Sequence, residues 1–192
     1  MGSEMCIRDR SGAEGIFVFY PGKAGGAFIK QYAQAGLQGK IPLYSVFTVD
    51  SIALSKLQKA KMNGVMGSVM TQFWAPDLDT PQNKKFVSGF KRKYGRYPSF
   101  YAAQSYDTIF LIKSAVEAVK GDLSNKDGMR AAMEKANFPS VRGKFSYGNN
   151  HFPIQNFYSR EVVKDSDGVW TTSVREVVLK NHQDTYAKDC SM

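Results

Sequence analysis

Apolar residues in the first third of the chain fall in short runs separated by helical patterns. Ile16, Phe17, Val18 and Phe19 form one run, which stops at Pro21-Gly22; a helical pattern then begins behind Gly25 and Gly26 and stops at Gly36. A buried strand, a loop and a helix make the unit from which α/β sheets are built. Residues 41–47 form a second strand. Asp50 is an N-cap for a helix over 51–61 with Ile52, Leu54 and Leu57 as its apolar positions, and 64–72 is a third strand. The order β-α-β-α-β predicts a parallel sheet covered by helices.

The pattern changes at Phe73. FWAPDLDTPQN carries prolines, aspartates and an aromatic pair, and it reads as a connection. Thr80 and Pro81 then signal the start of a helix that Gly95 closes after Tyr94. The longest helical pattern covers 99–120. Its apolar face is expected at Tyr101, Ser105, Thr108, Ile112, Ala115 and Val119, widened by Tyr106, Ile109 and Phe110. Ser124 is expected to cap a further helix containing Met129, Ala132 and Met133. From Phe138 onward the texture is β, ending in two strands (154–164 and 169–180) joined by the turn DSDG.

With 192 residues, 43% of them hydrophobic, the chain can bury one large core or two smaller ones. Its apolar runs are far shorter than the roughly 20 residues needed to cross a bilayer, so no membrane insertion is expected. MGSEMCIRDR has neither the apolar centre of a signal peptide nor any periodicity, and it resembles translated adapter sequence. Residues 1–12 are therefore set apart as a non-native leader, with the native chain expected to be cut at its N-terminus and any export signal to lie in the missing part. Arg8 and Arg10 cancel Glu4 and Asp9, so the remaining chain holds the whole net charge of +9. Its densest cluster, Lys84, Lys85, Lys91, Arg92, Lys93 and Arg96, is the polar side of a helix whose other side carries Phe86, Phe90 and Tyr94. No nucleic-acid motif accompanies it, and a nucleic-acid partner is not expected.

The loop Tyr20-Pro-Gly-Lys-Ala-Gly-Gly26 is not a nucleotide fingerprint, because its glycines stand at 22, 25 and 26 and no Gly-Lys-Ser/Thr precedes the helix. A loop bringing backbone amides to a small ligand suits it better. The two histidines and two cysteines form no metal-ligand spacing, and no nucleophile elbow is present, so neither cofactor nor enzymatic activity is expected. Asp77, Asp79 and Asp107 are adequately read as helix caps or surface groups. Tyr20, Phe47, Trp74 and Tyr101 all stand at ends of predicted elements, where aromatics line a cleft.

Taken in order, FVFYPGKAGGAFIKQYAQAGL, GKIPLYS, FWAPDLDTPQNKKFVSGFKRKYGRYPSFYAAQSYD and VRGKFSYGNNHFPIQNFYSREVVKD resemble the C-terminal half of type I periplasmic solute-binding proteins of ABC importers, of the branched-chain amino acid and aromatic acid type. The resemblance covers about 13–192. It implies an incomplete bilobal α/β fold in which 13–73 belong to the second lobe, 77–140 supply helices of the first, and 141–192 carry strands that cross the hinge and return. It further implies a periplasmic, non-enzymatic component that takes a small organic acid or amino acid in an interlobe cleft and delivers it to a permease. Residue by residue, Tyr20, Gly22 and Lys23 match a ligand-facing loop, and Tyr101 matches a position that packs on the ligand. Lys23 and the amides near Gly25 and Gly26 are expected on a carboxylate, with Phe47, Trp74 and Tyr101 on the ligand's body. Where amino-acid-binding members place a carboxylate for the ammonium group, this chain reads Val46, Phe47, Thr48, and Asp50 comes late. That departure counts against an amino acid, and Phe47, Tyr101, Trp74 and Lys23 would suit the aromatic carboxylates that similar members are thought to bind. The ligand is expected to be an aromatic or branched carboxylate, or an amino acid. The alternatives are the sensing domain of a receptor or transcription regulator and, disfavoured by the missing catalytic cluster, an α/β enzyme.

Overall fold

The computed structural model describes residues 12–190, so the leader, with Cys6, lies outside the described residues except for Gly12. The chain divides into two compact units. The first runs through Thr71 and takes in Arg160–Thr172; the second comprises Gln72–Ser159 and the chain from Ser173.

In the first unit, β1 (Ile16–Val18), α1 (Lys23–Gln34), β2 (Leu43–Ser45), α2 (Ser51–Lys59) and β3 (Val69–Gln72) follow the expected β-α-β-α-β order. β1 and β2 run parallel with Ile16 opposite Leu43 and Val18 opposite Ser45, and β3 adds in parallel with Met70 opposite Ser45. The strand β5 (Pro153–Lys164) lies beyond β3, and here the Gly67 N–H donates to the Val162 carbonyl while the Val162 N–H donates to that of Ser68. Alternation sends Val18, Leu43 and Met70 to one face, where Ile29 and Tyr32 of α1 and Leu54 and Leu57 of α2 complete a core with Val49, Val65, Val162 and Trp170. Phe17 and Tyr44, side by side in register, take the other face and stay 72% and 46% exposed.

Two expectations change here. Helix α1 begins at Lys23, so Gly25 and Gly26 lie inside its first turn and not ahead of it. The reason is Gly22, whose φ of 71° turns the chain into the helix four residues early. Asp50 caps α2 as expected, its Oδ1 accepting the Ala53 N–H at 2.7 Å, but Ile52 is exposed and only Leu54 and Leu57 are buried.

The second unit contains α3 (Pro81–Tyr94), α4 (Phe100–Ala118), α5 (Lys126–Lys135), β4 (Ser146–Tyr147), the start of β5, and the remainder of β6 (Trp170–His182). Thr80 caps α3, with Oγ1 accepting the Asn83 N–H at 3.2 Å, and Gly95 closes it. The basic cluster is largely a solvated face: the Lys84 ammonium pairs with Asp79, Lys91 lies over the Tyr97 ring and Arg96 over that of Phe90. Helix α4 is partly turned from its expected face, of which Ala115 is buried as expected. Phe100, Ala103, Asp107 and Ala115 are buried, whereas Tyr101, Ile109 and Ile112 are exposed. The helix turns that way because Asp107 is pulled inward. Its Oδ1 accepts the Val141 N–H at 2.9 Å, and its Oδ2 accepts the Ser140 hydroxyl at 2.7 Å and Arg142 Nε at 2.8 Å. Asp107 is thus a buried ion-pair partner and not a cap or a surface group. Helix α5 is capped by Asn125 through the Gly128 N–H, because the Ser124 hydroxyl is captured by Asp122 at 2.6 Å.

Candidate functional site

The loop between β1 and α1 stands at the carboxyl end of a parallel strand, where α/β sheets present ligands to helix N-termini. Helix α1 has no side-chain cap and no acid in its first turn, so its free N–H groups and positive dipole end meet no neutralising group of their own helix. Lys23 is exposed at the first helical position and adds a full positive charge there. Gly25 is buried; a Cβ there would overlap the Tyr20 carbonyl oxygen and come within 2.9 Å of the Thr48 carbonyl. Gly26 has open space around it. Tyr20 is 44% exposed, with its ring tilted against Phe28 at 5.7 Å.

Phe47 follows β2 and stands edge-on to Phe19 at 6.0 Å between ring centroids. Its φ is 57°, a left-handed conformation that a bulky side chain seldom adopts. The first unit therefore brings Tyr20, Gly22, Lys23, Gly25, Gly26 and Phe47 to one end of its sheet, and adds one residue not expected there, Thr48. Its hydroxyl oxygen accepts the Tyr20 N–H at 3.0 Å, and its proton has the Val18 and Val46 carbonyls within reach. A hydroxyl inside the apolar run from Val46 to Val49 was the available signal. Asp50 is occupied as the α2 cap.

The open side of β1 forms one wall of a groove of about 540 Å³, with Phe28, Gln31, Tyr32 and Ala35 of α1 as the other. Its lining carries no charged residue, so an anion is better served by the Lys23 end of the helix than by the groove.

In the second unit Tyr101, at the start of α4, is 48% exposed and tilted on Phe100 with 4.0 Å between centroids. Trp74 is only 1% exposed. Its indole N–H donates to Asn83 Oδ1 at 2.7 Å and its ring meets Phe86, which makes it a core residue. The same Asn83 amide donates to the carbonyls of Ala75, Pro76 and Leu78, so the pair fixes the connection that follows Phe73. Among the described residues no group of His, Cys, Asp and Glu could hold a metal ion, and no helix is long and apolar enough to cross a membrane.

The sequence profile of periplasmic binding proteins matches residues 8–168. The chain belongs to the periplasmic binding protein family. A Leu/Ile/Val-binding protein homolog 6 of Brucella abortus (strain 2308) is 32% identical over 170 residues, which are 85% of this chain and 42% of that one. Among solved structures, a solute-binding protein of an ABC transporter from R. palustris in complex with benzoate is similar at TM-score 0.77 and 31% identity, over 90% of this chain and 45% of that one. Another, from Rhodopseudomonas palustris HaA2 in complex with p-hydroxybenzoic acid, reaches TM-score 0.79 at 30% identity over 94% and 49%. A leucine-binding protein of Thermotoga maritima, at TM-score 0.72 and 20% identity, shares the fold. The type I periplasmic-binding fold expected from the sequence is thus borne out, and this periplasmic binding protein chain spans less than half the length of the relatives it matches.

Proposed function

We propose that this chain is part of the substrate-binding component of an ABC uptake transporter, periplasmic, non-enzymatic, working with a membrane permease, and that its ligand is an aromatic carboxylate. The observation that carries the reading is the likeness, at 30% identity or more over at least nine tenths of the chain, to solute-binding proteins holding benzoate and p-hydroxybenzoic acid. Local chemistry supports it. Lys23 and the uncapped start of α1 suit a carboxylate. Within the first unit the exposed Tyr20 and the half-buried Phe47 supply aromatic surface for a ring, and in the second unit Tyr101 is an exposed aromatic of the same kind. Trp74 acts from the core by holding the connection after Phe73 in place.

A branched-chain amino acid is the second reading, favoured by the Brucella homologue's description. It fits less well because the position after β2 offers Val46, Phe47 and Thr48, none of which can neutralise an ammonium group, while the Asp50 carboxylate is engaged as a cap. Calorimetric titration with benzoate, 4-hydroxybenzoate and leucine separates the two. Aromatic acids are expected to bind and leucine not to, and Lys23→Ala is expected to weaken benzoate roughly tenfold, the loss of one charge-assisted hydrogen bond. Unchanged benzoate affinity in both Lys23→Ala and Tyr101→Ala would remove these residues from the site.

A further inference from the structure

Loop 20–26 is fastened at one point. The Thr48 side chain is 2% exposed, and its single hydroxyl meets three backbone groups: it accepts the Tyr20 N–H at 3.0 Å, and its one proton is offered to the Val18 and Val46 carbonyls at 3.3 and 3.2 Å. That joins the end of β1, the residue after β2 and the first residue of the loop. On the helix side Gly25 closes against the same residue, since a Cβ there would lie 3.0 Å from Thr48 Cγ2 and would overlap the Tyr20 carbonyl oxygen. The preceding residue adopts a conformation that aromatic side chains seldom accept, Phe47 at φ 57°. Two neighbours thereby take opposite tasks: Thr48 is buried under the loop, and the half-buried Phe47 ring stands edge-on to Phe19.

We propose that Thr48 is a positioning residue for ligand binding: its hydroxyl holds Tyr20, and through it loop 20–26, in the shape that meets the ligand, and Phe47 keeps its left-handed backbone in the service of the same arrangement. The functional half of this proposal rests on the reading of the loop as ligand-facing; the mechanical half does not.

The test uses the 192-residue chain, with Thr48→Val, Thr48→Ser and Gly25→Ala. Amide exchange followed by NMR is expected to be about tenfold faster at Tyr20 in Thr48→Val, the loss of one hydrogen bond, and within about twofold of the parent in Thr48→Ser, while the Val46 amide, bonded to the Val18 carbonyl, keeps its rate. Gly25→Ala attacks the same contact from α1 and is expected to loosen Tyr20 as well. An unchanged Tyr20 rate in Thr48→Val, or an equal acceleration at Val46, overturns the proposal, the second outcome by making Thr48 a packing residue only. In titrations with 4-hydroxybenzoate, Thr48→Val is expected to bind at least about fivefold more weakly and Thr48→Ser like the parent. A parent chain that takes up no 4-hydroxybenzoate defeats the ligand reading and leaves the exchange result to decide the mechanical half. A loosened Tyr20 with unchanged affinity overturns the functional half. Phe47→Gly, free of backbone strain, is expected to unfold at no lower temperature than the parent while binding less; a lower midpoint shows that Phe47 is kept for packing.

Discussion

The two units of this chain are held by different physics. The first is closed mainly by aliphatic and aromatic side chains between a parallel sheet and two helices: Val18, Ile29, Leu43, Leu54, Leu57, Val65 and Met70 are all at most 6% exposed. Its one comparable polar feature among the described residues is Arg160, 4% exposed, which donates to the Thr172 hydroxyl oxygen at 3.2 Å. The second is organised around polar groups taken out of water. Asp107 and Arg142, 1% and 8% exposed, form an ion pair whose guanidinium also donates to Gln155 and lies 4.1 Å from the centre of the Phe145 ring. Asn83, fully buried, satisfies one indole and three carbonyls. Apolar contacts are many and small, so losing one leaves the rest in place. A buried charge has few partners, and losing one leaves the other uncompensated in a medium that cannot solvate it. The second unit should therefore be the more brittle under single substitutions, although it is no less compactly built.

The sharpest way to break that contrast is Asp107→Ala, expected to cost about 3–5 kcal/mol because Arg142 is left buried and unpaired. Urea unfolding would measure it, and exchange should show the loss concentrated in the second unit. Replacing both partners, Asp107→Leu with Arg142→Met, is expected to recover only the part due to the uncompensated charge, since the Val141 N–H and the Ser140 hydroxyl still lose their acceptor; if the double variant is as damaged as the single one, hydrogen bonding and packing and not charge govern this site. Next comes Asn83→Ala, at about 1–3 kcal/mol, chiefly for the buried Trp74 indole N–H left without its acceptor. A near-UV circular dichroism change from Trp74 should accompany it. In the first unit Ile29→Val removes one buried methylene and is expected to cost only about 0.5–1.5 kcal/mol in thermal melts. A larger loss than that of Asn83→Ala would reverse the comparison.

The smallest effect is alkaline. Burial raises the Tyr32 phenol above its ordinary value, and its hydroxyl donates to the Ile41 carbonyl at 2.6 Å. Since the folded state holds that proton more tightly than the unfolded chain, the contribution is complete below the unfolded tyrosine pKa of about 10 and is lost as pH rises through the raised folded value. Tyr147 in the second unit is raised too, first by burial and with Asp107 adding, while Arg142 opposes it. Unfolding midpoints of Tyr32→Phe and Tyr147→Phe between pH 9 and 11 should each show a flatter decline than the parent.

Much of this was legible in the amino-acid order, and for local reasons. Thr80-Pro81 and Gly95 bound α3, Asp50 caps α2, and the turn at 165–168 joins two long strands, since caps, prolines and turn residues act within a few positions of themselves. The β-α-β-α-β order followed from apolar runs separated by helical periods, and the order of segments was enough for the family. Tertiary structure decided what depends on partners distant in sequence. Asp107 looked like a cap or a surface acid until Arg142, 35 positions on, drew it inward and turned part of the buried face of α4. Trp74 stood at an element's end, and only Asn83 and Phe86 turned it inward. Thr48 stood out only as a hydroxyl in an apolar run, and its partner Tyr20, 28 positions before it, was set by the fold. Periodicity records which residues avoid water on average; it does not record which buried polar group has found its partner, because that depends on a distance in space which only the folded chain sets.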